Sequence, residues 1–313
     1  MSAVTHRPAA SSAWLPVSPC APGACLRAQA RTAGPLRRAA RLTGAVAVLI
    51  AGLPIALTLG RTARRGAVTM LWSRLLLRAL GVRLVTRRGF SFIGGSARAR
   101  AVPGEDGPAL LVGNHVSWLD PLVITATVAC RPLAKVEVGR WPIVRTLAAG
   151  CGALFIDRDR LSALPGVVAD MTAALRSGES VAAFPEGTTW CGREMGSFRP
   201  AVFQAALDAG VPVRPVALRF VEETGVRATL STRPSYVGDD TLLASVLRIV
   251  ATRGLVAEVT LFPAVRLDRP AAYGGRVRRG EARAALARIT EAQVRTGLTR
   301  TGLTEPEGQA LAA

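Results

Sequence analysis

Residues 110–121 read Leu-Leu-Val-Gly-Asn-His-Val-Ser-Trp-Leu-Asp-Pro. The leading apolar residues predict a buried strand, and the closing proline is typical of a first helical turn. The polar side chains are concentrated in the turn between the two. Turns at the carboxyl ends of parallel strands are where α/β proteins form their sites. This stretch therefore predicts both a fold class and a place for the chemistry.

Apolar runs and helical patterns continue to alternate beyond this stretch. Such alternation predicts an α/β fold with a mainly parallel central sheet flanked by helices. The predicted strands are 109–112, 153–156, 180–184, 211–220 and 257–262, and the predicted helices are 121–130, 162–176, 200–209, 240–253 and 281–296.

The positive charge of the chain is concentrated near its N-terminus. The 313 residues carry a formal net charge of +19. Residues 1–104 contain 16 Arg and neither Asp nor Glu, whereas the remaining residues are close to neutral. Lys135 is the one lysine of the chain, so the abundance of Arg reflects a general bias and does not by itself indicate nucleic-acid binding. We expect no nucleic-acid partner.

An uncharged apolar segment lies within this basic part. A helix over residues 42–60 would be about 28 Å long, close to the hydrocarbon thickness of a bilayer. We interpret it as a membrane span or a re-entrant segment, with a buried core helix as the alternative. Residues 70–80 then place Arg74 and Arg78 on one helical face. That pattern favours a helix at the membrane interface, although an amphipathic helix packed on the domain also fits.

These features divide the chain into four predicted parts. Residues 1–40 are a disordered basic tail, residues 41–82 a membrane-anchoring helical segment, residues 83–298 an α/β domain and residues 299–313 a second disordered tail. The five cysteines include no Cys-x-x-Cys pair, so their spacing predicts neither a zinc site nor a disulfide framework and favours a reducing, cytosol-facing context.

His115 is the one imidazole of the predicted folded part, and Asp120 follows it five residues later. A carboxylate across the turn can hold the tautomer of the ring and raise its basicity, which would make His115 a general base for a hydroxyl. Alternatively, His115 is a hydrogen-bonded turn residue, and Ser117 and Asp120 form a capping box before the helix. These residues alone leave both interpretations open.

Four stretches, in order, resemble the motifs of the glycerolipid acyltransferases, the family of bacterial 1-acylglycerol-3-phosphate acyltransferase. Residues 114–120 match its His-x4-Asp motif and residues 152–158 its Gly-x-x-Phe-x-x-Arg motif. Residues 184–188 read Phe-Pro-Glu-Gly-Thr, and residues 211–216 match an apolar, proline-containing motif. The resemblance covers about residues 68–265. Each motif alone is a weak signal, but four in order make the resemblance specific.

The resemblance implies a reaction without metal or cofactor. His115, paired with Asp120, would deprotonate a hydroxyl that attacks the thioester carbonyl of acyl-CoA or acyl carrier protein. Asn114 or backbone amides of the turn would stabilise the oxyanion, and Ser117 is a further candidate substrate contact. The acceptor would be a lysolipid, most simply 1-acylglycerol-3-phosphate, which gives phosphatidic acid. The enzyme would lie on the cytoplasmic membrane, held partly by anionic lipids, with its active site facing the cytosol.

Further substrate contacts follow from the same resemblance. Arg158 would clamp the phosphate of the acceptor, a role suited to a planar guanidinium. Glu186, Gly187 and Thr188 would form the glycerol-phosphate site. Lys135, retained in an Arg-rich chain, is predicted to contact the phosphate or the thioester because a compact ammonium differs from a guanidinium.

One departure from the family pattern bears on the acceptor. Thr189 and Trp190 stand where many family members carry Arg-Ser, and Arg193 or Arg199 would then supply the missing phosphate contact. Glu-Gly-Thr-Thr resembles a subset that includes lyso-ornithine-lipid and lysophospholipid acyltransferases, which gives an alternative acceptor. A noncatalytic membrane- or nucleic-acid-binding protein is the non-enzyme alternative.

Overall fold

A computed structural model describes residues 16–26, 32–59, 64–90, 99–102, 107–140, 142–157, 160–225, 227–267 and 276–299. In these residues helices and strands alternate along much of the chain. The helices are α1 (Pro22–Cys25), α2 (Pro35–Leu59), α3 (Arg65–Ala79), α4 (Asp120–Thr127), α5 (Pro142–Gly150), α6 (Leu164–Arg176), α7 (Phe203–Ala209), α8 (Leu242–Ala251) and α9 (Arg276–Thr299). The strands are β1 (Arg83–Arg88), β2 (Ala99–Val102), β3 (Leu110–Gly113), β4 (Cys130–Lys135), β5 (Leu154–Ile156), β6 (Ser180–Ala183), β7 (Val213–Thr224), β8 (Arg227–Leu230), β9 (Leu255–Leu261) and β10 (Ala264–Leu267).

The described strands form one mixed sheet in the order β1-β9-β7-β3-β6-β4-β5. Neighbours along this path are parallel except for β7 and β9, which are antiparallel. Strands β2, β8 and β10 add antiparallel pairs beside the path. The predicted α/β fold with a mainly parallel central sheet is therefore confirmed.

Helices cover both faces of the sheet and bury an apolar core on each. One core contains Met171 of α6 and Phe203 of α7, both fully buried. The other contains Leu77 of α3, Ile124 of α4 and Ile249 of α8. The central strand β3 is buried throughout, which explains why it reads as a continuous apolar run.

The N-terminal helix α2 stands out from this packed body. Over Pro35–Thr58 it is long and apolar enough to cross a membrane, and little of it is buried. Val46, Ile50 and Leu57 expose 52%, 62% and 74% of their surface. The helix contacts α3, where the indole Nε1 of Trp72 donates to the Val48 carbonyl at 3.1 Å. Length and exposure agree with a membrane anchor, which stays a prediction.

The structure differs from the sequence-based expectations at element boundaries and in elements that were not predicted, among them α5, β1, β4 and β8. The helix predicted over 121–130 ends at Thr127, and strand β4 begins at Cys130. Within the predicted tail 1–40 the structure describes α1 and the first residues of α2, which begins at Pro35 because proline is suited to the first helical position. Residues 1–15 and 300–313 lie outside the described part.

Candidate active site

The site forms where two neighbouring parallel strands end. Strands β3 and β6 pair in register, with Val112 opposite Ala183. Each strand then turns at the carboxyl edge of the sheet, one into the first motif and the other into the third. A Cβ at Gly113 would lie 2.9 Å from the Val216 carbonyl oxygen of β7, so this close approach of the two backbones requires glycine.

Asp120 holds the imidazole of His115. The Asp120 Oδ2 atom lies 2.8 Å from His115 Nδ1. The same oxygen accepts the backbone N–H groups of Val116 at 2.6 Å and Ser117 at 2.8 Å. Asp120 is fully buried in the first turn of α4, where the helix dipole favours a negative charge. With Asp120 accepting from Nδ1–H, the other ring nitrogen carries the lone pair of the neutral imidazole.

The catalytic and the capping interpretations of residues 115–120 are compatible. The bond from Ser117 N–H to Asp120 is one half of the capping pattern, and it coexists with the His115–Asp120 bond. The Ser117 hydroxyl oxygen accepts the Leu119 N–H at 3.2 Å rather than that of Asp120. Ser117 is fully buried and its hydroxyl supports the turn; its predicted substrate contact stays a prediction.

The imidazole of His115 stacks on Phe184. The ring centroids are 4.3 Å apart and the ring planes differ by 14°. His115 is only 8% exposed. The sequence places Phe184 in the third motif but does not predict its stack on His115. The stack and the Asp120 bond together fix the position and the plane of the imidazole.

Glu186 joins the loops of the first and third motifs. Its Oε1 accepts the backbone N–H of His115 at 2.6 Å, and its Oε2 accepts that of Gly196 at 2.7 Å. Burial raises the pKa of Glu186 to about 8, although these two N–H groups oppose the shift; the nearby Asp120 carboxylate adds to it. Both carboxyl oxygens are thus occupied by main-chain donors. Glu186 thereby links main-chain groups of the two loops; its predicted substrate contact stays a prediction.

We expect this carboxyl group to make stability depend on pH. Because the pKa of Glu186 is raised from 4.5 to about 8 on folding, its contribution is fully present below pH 4.5 and is lost as pH rises through about 8. The unfolding midpoint in detergent should fall over that interval, and Glu186→Gln should flatten the fall. Glu291→Gln, which removes another carboxylate that accepts a backbone N–H, should keep the wild-type slope. Equal slopes in wild type and Glu186→Gln would contradict the expectation.

Asn114 joins β3 to β7 instead of facing the site. Its side-chain Nδ2 donates to the Leu218 carbonyl at 2.9 Å, and its Oδ1 accepts the Leu218 N–H at 2.8 Å. The side chain is almost fully buried. The backbone N–H groups of residues 115–117 already donate to Glu186 and Asp120. The groups that the sequence suggested for the oxyanion therefore have partners within the protein.

The turn at Gly187 approaches the N-terminal segment. Gly187 adopts a φ of 75°, a left-handed conformation that favours glycine. A Cβ at this position would lie 2.7 Å from Cγ of Pro16. Thr188, the next residue, is half-buried. Residues of the segment predicted to be disordered thus contact the predicted acceptor site.

The charged residues predicted to bind substrate are more exposed. Lys135 ends β4, beside β6 in the sheet, and its Nζ lies 3.6 Å from Glu137 Oε1. The backbone N–H of Arg199 donates to the Pro185 carbonyl at 3.0 Å, and its side chain is exposed. Arg158 lies outside the described residues.

The sequence did not predict that Thr189 and Trp190 hydrogen-bond to groups around the candidate site. The Thr189 hydroxyl donates to the Tyr236 carbonyl. The Trp190 N–H donates to the His115 carbonyl at 2.8 Å. Trp190 thereby joins the loop to the turn of the first motif directly, and Thr189 joins it through Tyr236, whose N–H donates to the Val116 carbonyl. Their departure from the family pattern at this position was the signal available in the sequence.

Comparisons with known proteins identify relatives of the chain. A family model described as Acyltransferase matches residues 93–219. The chain is 35% identical over 160 residues to a 1-acyl-sn-glycerol-3-phosphate acyltransferase of Neisseria gonorrhoeae, which covers 51% of this chain and 61% of that protein. It is 36% identical over 169 residues to a lyso-ornithine lipid O-acyltransferase of Pseudomonas aeruginosa, at 52% and 62% coverage. The chain thus spans about six tenths of the length of these relatives.

Two further comparisons extend the match. A lyso-ornithine lipid O-acyltransferase of Brucella abortus is 32% identical over 195 residues, which is 58% of this chain and 72% of that protein. A crystal structure of a 1-acyl-sn-glycerophosphate acyltransferase from Thermotoga maritima superposes with a TM-score of 0.53. That match covers 83% of this chain and 94% of the other at 16% identity, so it supports the fold alone.

Proposed function

Because the chain belongs to the acyltransferase family, we propose that it moves a fatty acyl group from acyl-CoA or acyl carrier protein to the free hydroxyl of a lysolipid. The observation that carries this proposal is the 2.8 Å bond between His115 Nδ1 and Asp120 Oδ2. It leaves Nε2 as the basic atom of a ring that Phe184 holds in place.

The proposed reaction needs one base and no covalent intermediate on the protein. Nε2 of His115 takes the proton of the acceptor hydroxyl while the hydroxyl oxygen attacks the thioester carbonyl carbon. The tetrahedral intermediate then expels the thiolate, and the imidazolium returns the proton to the sulfur. The products are an ester and a free thiol. Buried Asp120 stabilises the imidazolium formed on the way, because opposite charges interact more strongly away from water.

The acceptor that we propose first is 1-acylglycerol-3-phosphate, with phosphatidic acid as the product. Lyso-ornithine lipid is the second candidate. It is favoured by Thr189 and Trp190, since neither offers a cation where many family members have Arg. Relatives named for each acceptor match the chain at similar identity.

We propose that α2 anchors the enzyme in the cytoplasmic membrane with its active site on the cytosolic side. The exposed apolar residues of α2 continue onto α3, where Leu71 and Leu75 are also exposed. Nε of Arg74 donates to the Ala126 carbonyl of α4 at 2.7 Å. This bond ties the interfacial helix to the helix that carries Asp120. Anionic lipids would add attraction for the other arginines of this region, about 1 kcal/mol for each one near the surface.

The proposed acceptor predicts a specific product. Wild-type protein in mixed micelles, given labelled acyl-CoA or acyl carrier protein, should form labelled phosphatidic acid from lysophosphatidic acid and release one thiol per ester. Lyso-ornithine lipid is offered in a parallel reaction at equal concentration. Product from lyso-ornithine lipid alone would overturn the first acceptor and keep the chemistry. Thiol release that is independent of any acceptor would indicate a thioesterase and contradict acyl transfer.

A further inference from the structure

Three of the five cysteines meet outside the candidate active site. Cys20 precedes α1, Cys25 ends it, and Cys191 lies in the loop after the third motif. Their sulfur atoms all lie within 4.8 Å of one another. The cysteine spacing did not indicate this cluster, because 171 residues separate Cys20 from Cys191.

The sulfur positions suit a thiophilic cation. In a tetrahedral Zn²⁺ site with Zn–S bonds of about 2.3 Å, neighbouring sulfur atoms lie about 3.8 Å apart. The sulfur–sulfur distances in the cluster are at most 4.8 Å. They therefore exceed the spacing in a zinc site by at most about 1 Å. A disulfide would use two of the sulfur atoms and leave the third unexplained. Soft thiolate ligands favour zinc over the hard cations that bind to carboxylates.

The surroundings of the cluster also favour thiolates. The backbone N–H of Cys191 donates to the Cys20 sulfur at 3.3 Å, the kind of bond that supports ligands of a metal from outside its first sphere. Arg193 Nη2 donates to the Cys25 carbonyl at 3.2 Å. This contact brings a positive charge near the cluster. Three thiolates carry more negative charge than a divalent ion can neutralise, so the nearby guanidinium would offset the excess.

A bound ion would add to the contacts that hold the N-terminal segment, which include Pro16 beside Gly187 and Arg193 on the Cys25 carbonyl. Helix α1 has four residues, too few to be stable alone. The apolar cluster beneath it consists of Cys25, Cys191 and Val237, with Cys20 packed against them. We propose that Cys20, Cys25 and Cys191 bind Zn²⁺, with a fourth position open to water or an external ligand. The ion would cross-link residues 16–26 to the loop that contains Cys191. This inference does not depend on the proposed reaction.

Metal binding to the full-length, reduced and metal-stripped protein tests the proposal. We expect one Zn²⁺ per chain in a competition titration against a chromophoric chelator, and a thiolate-to-metal absorption band when Co²⁺ is added instead. Cys20 is partly exposed, so Cys20→Ser should fold. It should weaken Zn²⁺ binding by at least about 100-fold, since loss of an outer-sphere partner alone costs about 10–100-fold. Cys151→Ser is the matched control and should bind as wild type does.

A second readout reports on the cross-link itself. Addition of Zn²⁺ should slow amide hydrogen exchange in residues 16–26 of wild type and of Cys151→Ser, but not of Cys191→Ser. Two results would overturn the proposal: equal Zn²⁺ affinity in wild type and Cys20→Ser, or no stoichiometric Zn²⁺ binding by folded, reduced wild type. A disulfide between two of these cysteines in a protein that binds no Zn²⁺ when reduced would equally overturn it.

Discussion

Replacing His115 with alanine should lower kcat for acyl transfer by about 1000-fold, with KM for either substrate little changed. General-base catalysis by a positioned side chain contributes about 10²–10⁴-fold to a rate. The ring of His115 is the base in the proposed reaction, and its contacts with Asp120 and Phe184 place it without involving a substrate. Initial rates with lysophosphatidic acid as the acceptor and labelled acyl-CoA as the donor measure the effect.

Two controls separate loss of the base from loss of the fold. His115→Gln keeps a polar side chain of similar reach but offers no comparable base, so it should be nearly as inactive as alanine. Both variants keep the main-chain N–H that donates to Glu186 but remove a buried ring stacked on Phe184, so we expect them to fold with a lower unfolding midpoint, and rates are compared well below it. Transfer by His115→Ala at the wild-type rate would remove His115 from the mechanism and favour a noncatalytic protein.

Changing Asp120 to asparagine is the second substitution with a large expected effect. It keeps the shape of the side chain and one carbonyl oxygen for the N–H groups of Val116 and Ser117. It removes the negative charge that would stabilise the imidazolium of His115 in the proposed reaction. We expect kcat to fall by about 100- to 1000-fold, because the charge acts on the proton-transfer step.

The matched control for Asp120→Asn lies in the same turn. Ser117→Ala removes a fully buried hydroxyl that accepts one N–H but leaves the charge of Asp120 in place. It should lower the unfolding midpoint more than it lowers kcat. If Ser117→Ala lost as much kcat as Asp120→Asn at equal stability, the charge of Asp120 would not be the cause. Wild-type kcat in a folded Asp120→Asn would exclude the proposed pair.

How much of the site could be predicted depends on the distance between partners along the chain. The bond between His115 and Asp120 spans five residues within one turn, so local spacing was enough to predict it. The bond from His115 N–H to Glu186 spans 71 residues and exists because β3 and β6 are neighbours. The hydrogen bonds of Asn114 and Glu186 to main-chain groups could not be predicted, because their motifs do not show which backbone groups lie next to these side chains.

In the fold, too, elements set by local sequence were predicted and an element set by distant partners was not. Continuous apolar runs predicted β3, β6 and most of β9, because strands buried on both faces need such residues. Strand β4 contains Arg131, Pro132 and Lys135, a mixture that does not read as a buried strand, and it was missed. Its place in the sheet comes from pairing with β5 and β6, which a single stretch of sequence does not reveal.

The two carboxyl groups of the site accept main-chain N–H groups, those of Val116 and Ser117 at Asp120 and those of His115 and Gly196 at Glu186. A peptide N–H is the same whatever side chain its residue carries. Side chains elsewhere at the candidate site can therefore be exchanged without loss of these main-chain bonds. For the proposed acyl transfer, redesign toward another lysolipid should change such side chains and keep the bonds intact.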